Sequence, residues 1–261
     1  MTSVTSKNLL ANKICPWLVE PLAQFESTNE EQRLAHGWLL SGQEGIGKLN
    51  LALVIGNRIL NPEANWPEML DSKEAETGMA VRHELKDNHP DLHWVHPEEG
   101  KRTISVDSIK GNNQKNITGI SKTLQLTSHD GNAKVAIFED ADGMTKEAAN
   151  ALLKTLEEPS PNTYLFLIAH QPGRLPSTIR SRCQFLSVRR PSPEDALDWV
   201  SSFNQTVSLS DWSILLDLAS QAPLQALRLY KEGFLEKSKE YLDFLTSLKT
   251  NWILKRLPIN G

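Results

Sequence analysis

The sequence has few of the features that mark secreted, membrane or zinc-stabilised proteins. Cys15 and Cys183 are its only cysteines among 261 residues, which excludes a disulfide framework and a four-cysteine zinc site within this chain. No apolar stretch approaches the roughly 18 residues of a membrane span. The residues after Met1 lack the apolar core of a signal peptide. The sequence therefore predicts a cytoplasmic protein without a membrane segment.

The chain also lacks an excess of charge and any internal repeat. Its formal net charge is −4, with 39% hydrophobic and 23% charged residues. This composition fits a globular protein with a sizeable core. It excludes a global positive field that could hold nucleic acid, so contact with DNA would need a local basic patch or a partner protein.

Short apolar runs alternate with helical patterns over most of the chain. Runs of this length, bounded by polar turns, are typical of strands that are buried on both faces, and they occur at residues 38–40, 92–95, 135–138, 164–169 and 185–188. Helical patterns lie between them, at about 48–60 and 145–156. The alternation predicts an α/β fold with a parallel sheet, whose ligands bind beyond the carboxyl ends of the strands.

The strand pattern stops after Val188. Helical patterns then cover about 193–203, 209–220 and 223–231. We therefore predict a P-loop-like core at residues 1–189, a three-helix lid at 190–232 and the beginning of a helical domain at 233–261, which is too short to fold alone. The segment 61–88 is rich in charge and helix breakers, and we interpret it as a surface excursion.

One loop carries a nearly complete phosphate-binding pattern. Residues 42–49 read Gly-Gln-Glu-Gly-Ile-Gly-Lys-Leu, whereas the pattern ends in lysine followed by serine or threonine. Lys48 would reach the outer phosphates, and backbone N–H groups would turn toward them at Gly42, Gly45 and Gly47. Leu49 replaces the hydroxyl that holds Mg²⁺. The pattern leaves weak ATP binding open and argues against tight binding of Mg-ATP.

Two acids follow one of the predicted strands. In P-loop ATPases an acid at this place holds Mg²⁺ through water and a second acid orients the attacking water, usually in the order Asp then Glu. This chain has Glu139 and then Asp140, and a misplacement of about 1 Å can cost on the order of 10²-fold in rate. The acids are therefore either a degenerate nucleotide site or a solvated pair at the end of a strand.

Two longer motifs carry a family resemblance. Residues 150–159 read Asn-Ala-Leu-Leu-Lys-Thr-Leu-Glu-Glu-Pro, and residues 179–184 read Ile-Arg-Ser-Arg-Cys-Gln. Together they closely resemble the clamp-loader branch of the AAA+ proteins. The resemblance implies that Arg182 is an arginine finger, which acts in trans on a neighbour's ATP site and is worth roughly 10³–10⁵ in rate. For an isolated arginine, the alternative is a surface salt bridge.

Further segments are similar to the delta-prime subunits of bacterial DNA polymerase III. They are Cys-Pro-Trp-Leu at 15–18, His-Pro-Asp at 89–91, Ser-Val-Asp-Ser-Ile at 105–109 and His-Gln-Pro-Gly-Arg-Leu at 170–175. The last one replaces the threonine-bearing sensor of the ATPase subunits. The resemblance covers about residues 13–232.

The chain departs from this family at several places. Leu224 stands where the ATPase subunits carry a second sensor arginine, and region 61–89 lacks the four cysteines with which many delta-prime proteins bind zinc, so we expect no zinc and no other metal. The family's helical collar needs about a hundred residues. Only its beginning fits after Gly233, so we expect a truncated or an unusually short member.

The resemblance implies a clamp-loader subunit of the DNA polymerase III holoenzyme that does not hydrolyse ATP itself. Its partners would be the gamma/tau and delta subunits, and the sliding clamp and primed DNA would be reached through the complex. Membership would place the chain in a DNA-directed DNA polymerase, a nucleotidyltransferase, without giving it that chemistry. The alternatives are an active AAA+ ATPase, which hydrolyses ATP in its own P-loop, and an independent DNA-binding module, which the net charge disfavours.

Overall fold

The computed structural model describes residues 12–30, 34–63, 65–80, 90–98, 100–101, 103–115, 117–129, 133–238 and 240. Of the predicted collar segment 233–261, residues 234–238 are helical, and residues 239 and 241–261 lie outside the described part. The His-Pro-Asp motif begins at His89, which also lies outside it.

A five-stranded parallel sheet forms the centre of the molecule. The strands along the chain are β1 (Lys13–Ile14), β2 (Gly37–Ser41), β3 (Glu68–Met69), β4 (Leu92–Val95), β5 (Gly111–Asn112), β6 (Ile117–Thr118), β7 (Lys134–Phe138), β8 (Thr163–Ala169) and β9 (Gln184–Ser187). The central sheet has the order β4-β7-β8-β2-β9, and its neighbours pair in parallel. The predicted α/β fold with a parallel sheet is thus confirmed.

Helices cover both faces of this sheet. They are α1 (Val19–Glu30), α2 (Lys48–Leu60), α3 (Ser72–Ala80), α4 (Val106–Lys110), α5 (Ile120–Gln125), α6 (Lys146–Glu157), α7 (Ser177–Arg180), α8 (Pro193–Ser201), α9 (Leu209–Leu218) and α10 (Pro223–Lys231). The three helices predicted for the lid are therefore present as α8, α9 and α10. The boundaries of the domains stay a prediction.

The sheet strands are apolar because both of their faces are buried. In β2, Trp38 and Leu40 join one hydrophobic cluster, which also contains residues of α2 and of the lid helices. Leu39 between them points to the second cluster, which contains residues of α4, α5 and α6. Alternate residues of a strand face opposite sides, so each strand needs a continuous apolar run.

The segment predicted as a surface excursion contributes to the core. Its strand β3 pairs with β1, and Leu70 and Ala75 are buried. The buried indole of Trp199 in α8 donates a hydrogen bond from Nε1 to the carbonyl of Leu70 over 2.9 Å. This part of the segment therefore packs against the lid, and the surface interpretation is wrong for the buried residues Leu70, Ser72 and Ala75.

The lid helices begin with serine caps, and these caps give a stability prediction. The side chains of Ser192 and Ser208 each accept a hydrogen bond over 3.1 Å, from the backbone N–H of Asp195 and Asp211 respectively. Each cap satisfies an N–H that the helix itself leaves unpaired. We expect Ser192→Ala and Ser208→Ala each to lower the free energy of unfolding by about 1 kcal/mol, measured by urea denaturation.

The matched control is Ser213→Ala, in the exposed middle of α9. Alanine has the higher helix propensity there, so the control should keep or slightly raise the stability. Equal losses in all three variants would contradict the capping role.

Candidate functional site

The carboxyl ends of three strands bring the predicted site residues together. Strand β2 leads into the loop 42–47 and helix α2, β7 ends before Glu139, and β8 ends before His170. A pocket of about 690 Å³ lies between these residues and helix α10. The loop, the acid pair and the lid thus meet in one groove. It lies beyond the carboxyl ends of the strands, where parallel sheets bind their ligands.

The loop glycines are required by close approaches within the protein itself. A Cβ atom at Gly42 would lie 2.3 Å from the carbonyl oxygen of Val188, and one at Gly45 would lie 2.6 Å from Cβ of Gln225 in α10. Both have positive φ, 154° and 77°, where other residues are strained. Glycine at these positions is therefore needed for packing, whether or not phosphate binds.

The side chain of Lys48 turns back into its own loop. Its Nζ donates to the carbonyl oxygens of Gly42 over 2.7 Å and Gln43 over 2.5 Å, and it lies 2.7 Å from Nδ1 of His170. An ammonium group carries three hydrogens. All three have an acceptor inside the protein.

Burial sets the electrostatics of this lysine. Lys48 is 3% exposed, and burial lowers its pKa from the ordinary 10.5 to about 8, against the opposing effect of the Asp142, Glu44 and Asp140 carboxylates. Burial disfavours the charged form because water no longer solvates it. The hydrogen bonds from Lys48 to the loop therefore offset part of the free energy that burial of its charge costs.

The two acids are engaged by neighbouring side chains. The buried Glu139 accepts a hydrogen bond from the indole Nε1 of Trp94 over 3.1 Å. Asp140 has a left-handed backbone with φ of 54°, and its Oδ1 lies 2.7 Å from Nε2 of His170. The sequence places the acids correctly at the strand end, but it gives no sign of their partners.

The lid is bonded directly to the loop. The backbone N–H of Leu224 donates to the carbonyl of Gly45 over 3.1 Å. The side-chain amide of Gln43 donates from Nε2 to the backbone carbonyls of Ala219 over 3.1 Å and Ser220 over 2.9 Å. These bonds fix α10 against the loop, and Leu224 and Leu49 both pack against the hydrophobic cluster on this side of the sheet.

These residues do not fit a Mg-triphosphate as they are arranged. Lys48 has no hydrogen left to give, and Leu49 offers no oxygen to a metal. Two loop carbonyls and His170 accept all the hydrogens of the lysine, so a phosphate would have to displace one of these acceptors. The pocket in this arrangement therefore does not support a chemical step on ATP.

The predicted finger lies at the opposite edge of the sheet. Arg182 precedes β9, and its carbonyl oxygen would lie 3.0 Å from a Cβ at Gly37, the first residue of β2. Nη2 forms an ion pair with Glu157 over 2.7 Å, and Nη1 donates to the carbonyl of Thr178 over 3.0 Å. The length of β2, about 15 Å, separates Arg182 from its own P-loop.

Sequence reasoning did not identify the partners of Lys48 and Arg182. The sequence shows His170 only as part of a family motif, although its position after a strand places it on the same edge as the acids. Glu157 lies in the motif at residues 150–159, and no spacing rule relates it to Arg182.

In the described ranges there is no group of three or more His, Cys, Asp or Glu side chains that could hold a metal ion. None of the described helices is long and apolar enough to cross a membrane.

The lowered pKa of Lys48 predicts a pH-dependent stability. Below about pH 8 the lysine is charged in the folded and unfolded states, so the cost of its burial is fully present. Between pH 8 and 10.5 the folded state loses the proton first, so stability rises with pH. Relative to Lys48→Met, the wild-type free energy of unfolding should gain about 3 kcal/mol from pH 7 to pH 10.5.

The measurement is denaturant unfolding of both proteins at several pH values. Lys154→Met, which removes an exposed lysine of α6, is the matched control and should follow the wild-type curve. If the difference between wild type and Lys48→Met is the same at all pH values, the lysine is not buried as a charge.

Comparisons with known proteins agree with the motifs. A profile of the family described as DNA polymerase III, delta subunit, matches residues 19–192. The DNA polymerase III subunit delta' of Pseudomonas aeruginosa is 34% identical over 242 residues, which are 90% of this chain and 67% of that protein. The Haemophilus influenzae protein of the same name is 33% identical over 249 residues, 94% of this chain and 70% of that protein.

The corresponding Escherichia coli protein is 31% identical over 218 residues, 83% of this chain and 60% of its own length. Among solved structures, a gamma-subunit-related protein of Thermotoga maritima aligns with a TM-score of 0.46 at 22% identity, over 91% of this chain and 67% of that one. The RuvB Holliday junction branch migration motor of the same organism aligns with a TM-score of 0.49 at 16% identity, over 93% and 68%. The profile match over most of the chain and the identities above 30% show that this chain belongs to the delta-prime family of DNA polymerase III subunits.

Proposed function

We propose that this chain is a clamp-loader subunit in DNA replication that does not hydrolyse ATP itself and supplies Arg182 to the ATP site of a neighbouring subunit. Membership of the delta-prime family supports the replication role. The observation that carries the finer proposal is the separation of Arg182 from its own P-loop by the length of β2.

The surroundings of Arg182 suit an action on another molecule. Its side chain is about one third exposed, at 37%, and its partner Glu157 is 47% exposed. Exposed ion pairs of this kind contribute little to stability. Glu157, the Thr178 carbonyl and the Ser181 hydroxyl accept from this guanidinium, which has five N–H donors, so donors remain for a phosphate of a neighbour.

The chain's own pocket supports the non-hydrolysing part of the proposal. Leu49 provides no metal ligand, the acids are engaged by Trp94 and His170, and Leu224 lies where a second sensor arginine would act. Each departure removes a separate part of the ATPase machinery. Arg182 is the part that serves a neighbour.

The partners of this proposal are the gamma/tau and delta subunits. The assembled ring would open and close the sliding clamp on primed DNA, and this chain would reach clamp and DNA through the ring. Net charge −4 favours this indirect role over independent DNA binding.

Replacing Arg182 in the reconstituted complex tests the finger. In a complex whose other ATP sites are silenced, Arg182→Ala should lower ATP hydrolysis at the remaining site by about 10³-fold, with assembly on gel filtration unchanged. Arg182→Lys keeps the charge without the planar fork and should recover only part of the rate.

The matched control is Arg174→Ala, which removes an exposed arginine at the carboxyl edge of the sheet and should leave the rate unchanged. Normal hydrolysis with Arg182→Ala in an intact complex would contradict the finger. A complex that fails to assemble with Arg182→Ala but forms with Arg182→Lys would instead assign this arginine to the interface.

The purified chain alone tests the alternative of an active ATPase. We expect its ATP turnover to stay below about 0.1 s⁻¹, slow for an enzyme, because Leu49 replaces the hydroxyl that would hold Mg²⁺. Turnover above this rate that disappears in Lys48→Met would favour the alternative and contradict the non-hydrolysing role.

A further inference from the structure

Next to the P-loop, three side chains of the pocket form a continuous hydrogen-bonded chain. Lys48 Nζ lies 2.7 Å from His170 Nδ1, and His170 Nε2 lies 2.7 Å from Asp140 Oδ1. The lysine ammonium can only donate, and an ionised carboxylate can only accept. The geometry therefore assigns the imidazole proton to Nε2, so that Nδ1 accepts from Lys48 and Nε2 donates to Asp140.

The backbone holds His170 at this place. Ser41 and Ala169 pair in the parallel register of β2 and β8, so the first residues beyond the two strands, Gly42 and His170, leave the sheet at the same level. The backbone N–H groups of His170 and Gln171 both donate to Oδ2 of Asp142, over 3.1 and 2.7 Å. The imidazole is thus aimed at the P-loop lysine from the neighbouring strand.

We propose that His170 is the residue that closes this pocket to the phosphates of nucleotides. Two of the three hydrogens of the Lys48 ammonium group are accepted by carbonyls of its own loop. The third hydrogen is the one that could reach out to a ligand, and it is the one that His170 accepts. A phosphate would have to break this bond and bring its charge beside Asp140.

The absence of a metal ligand at Leu49 does not account for this closure. A metal-free anion needs only the loop N–H groups and a free lysine hydrogen, so the lost hydroxyl weakens Mg²⁺ binding and leaves anion binding possible. His170 acts on the anion itself. The inference concerns the chain's own pocket and holds whether or not Arg182 serves a neighbour.

Anion binding by the purified chain tests the inference. Inorganic tripolyphosphate and ATP, each with and without Mg²⁺, are titrated into wild type and His170→Thr by calorimetry. Threonine is too short to replace Nδ1 as the acceptor, so Lys48 regains a donor. Because hydrogen bonds to charged groups are strong, we expect the variant to bind metal-free tripolyphosphate at least about tenfold more tightly than wild type.

Three further variants make the result specific. His170→Asn keeps an acceptor near the place of Nδ1 and should stay closed. His170→Thr combined with Lys48→Met should lose the gained affinity. His36→Thr changes a histidine whose Nδ1 lies 3.0 Å from the carbonyl of Thr163, at the beginning of the strands, and should bind like wild type.

Two results would overturn the inference. The first is that His170→Thr is folded, as shown by cooperative unfolding, and yet binds neither anion more tightly than wild type. The second is a gain that persists in the double variant, because the anion would then bind without Lys48. Neither result bears on ATP hydrolysis by the complex with Arg182→Ala, so failure here and failure of the proposed function can be told apart.

Discussion

The buried charge of Lys48 is the constraint on which the carboxyl edge of the sheet depends. A buried ammonium is tolerated only when its hydrogens are bound, and here the acceptors come from two loop carbonyls and His170. The lysine thereby fixes the loop to the neighbouring strand. Since Gly45 in the same loop accepts from Leu224, the position of the lid also rests on this loop conformation.

Helix α6 connects the two edges of the sheet. It begins at Lys146, just after the acids, and ends at Glu157, which pairs with Arg182. Its 12 residues span about 18 Å, which is similar to the length of a central strand such as β2. Helix α6 therefore runs from the edge of the sheet that carries the acids to the edge that carries Arg182.

The sequence predicts the five strands of the central sheet well and the contacts of the site poorly. Helix α2 begins and ends where the pattern predicts, because its glycine loop and apolar spacing are local signals. The partners of the loop are not local: Gln43 and Ser220 are 177 residues apart, and Lys48 and His170 are 122 apart. The hydrogen bond from Trp199 to the Leu70 carbonyl is unpredictable for the same reason, because charged residues and helix breakers in 61–88 say nothing about a distant indole.

These contacts explain which residues of the phosphate-binding pattern the loop contains and which it lacks. Gly42 and Gly45 have no room for a side chain, because the Val188 carbonyl and Gln225 approach them closely. Position 49 has no such constraint. It faces the hydrophobic cluster, where a leucine gains from burial and a hydroxyl would need a partner. Packing alone can thus preserve the glycines of a P-loop while its metal ligand is lost, so a glycine pattern of this kind indicates a fold more securely than it indicates nucleotide chemistry.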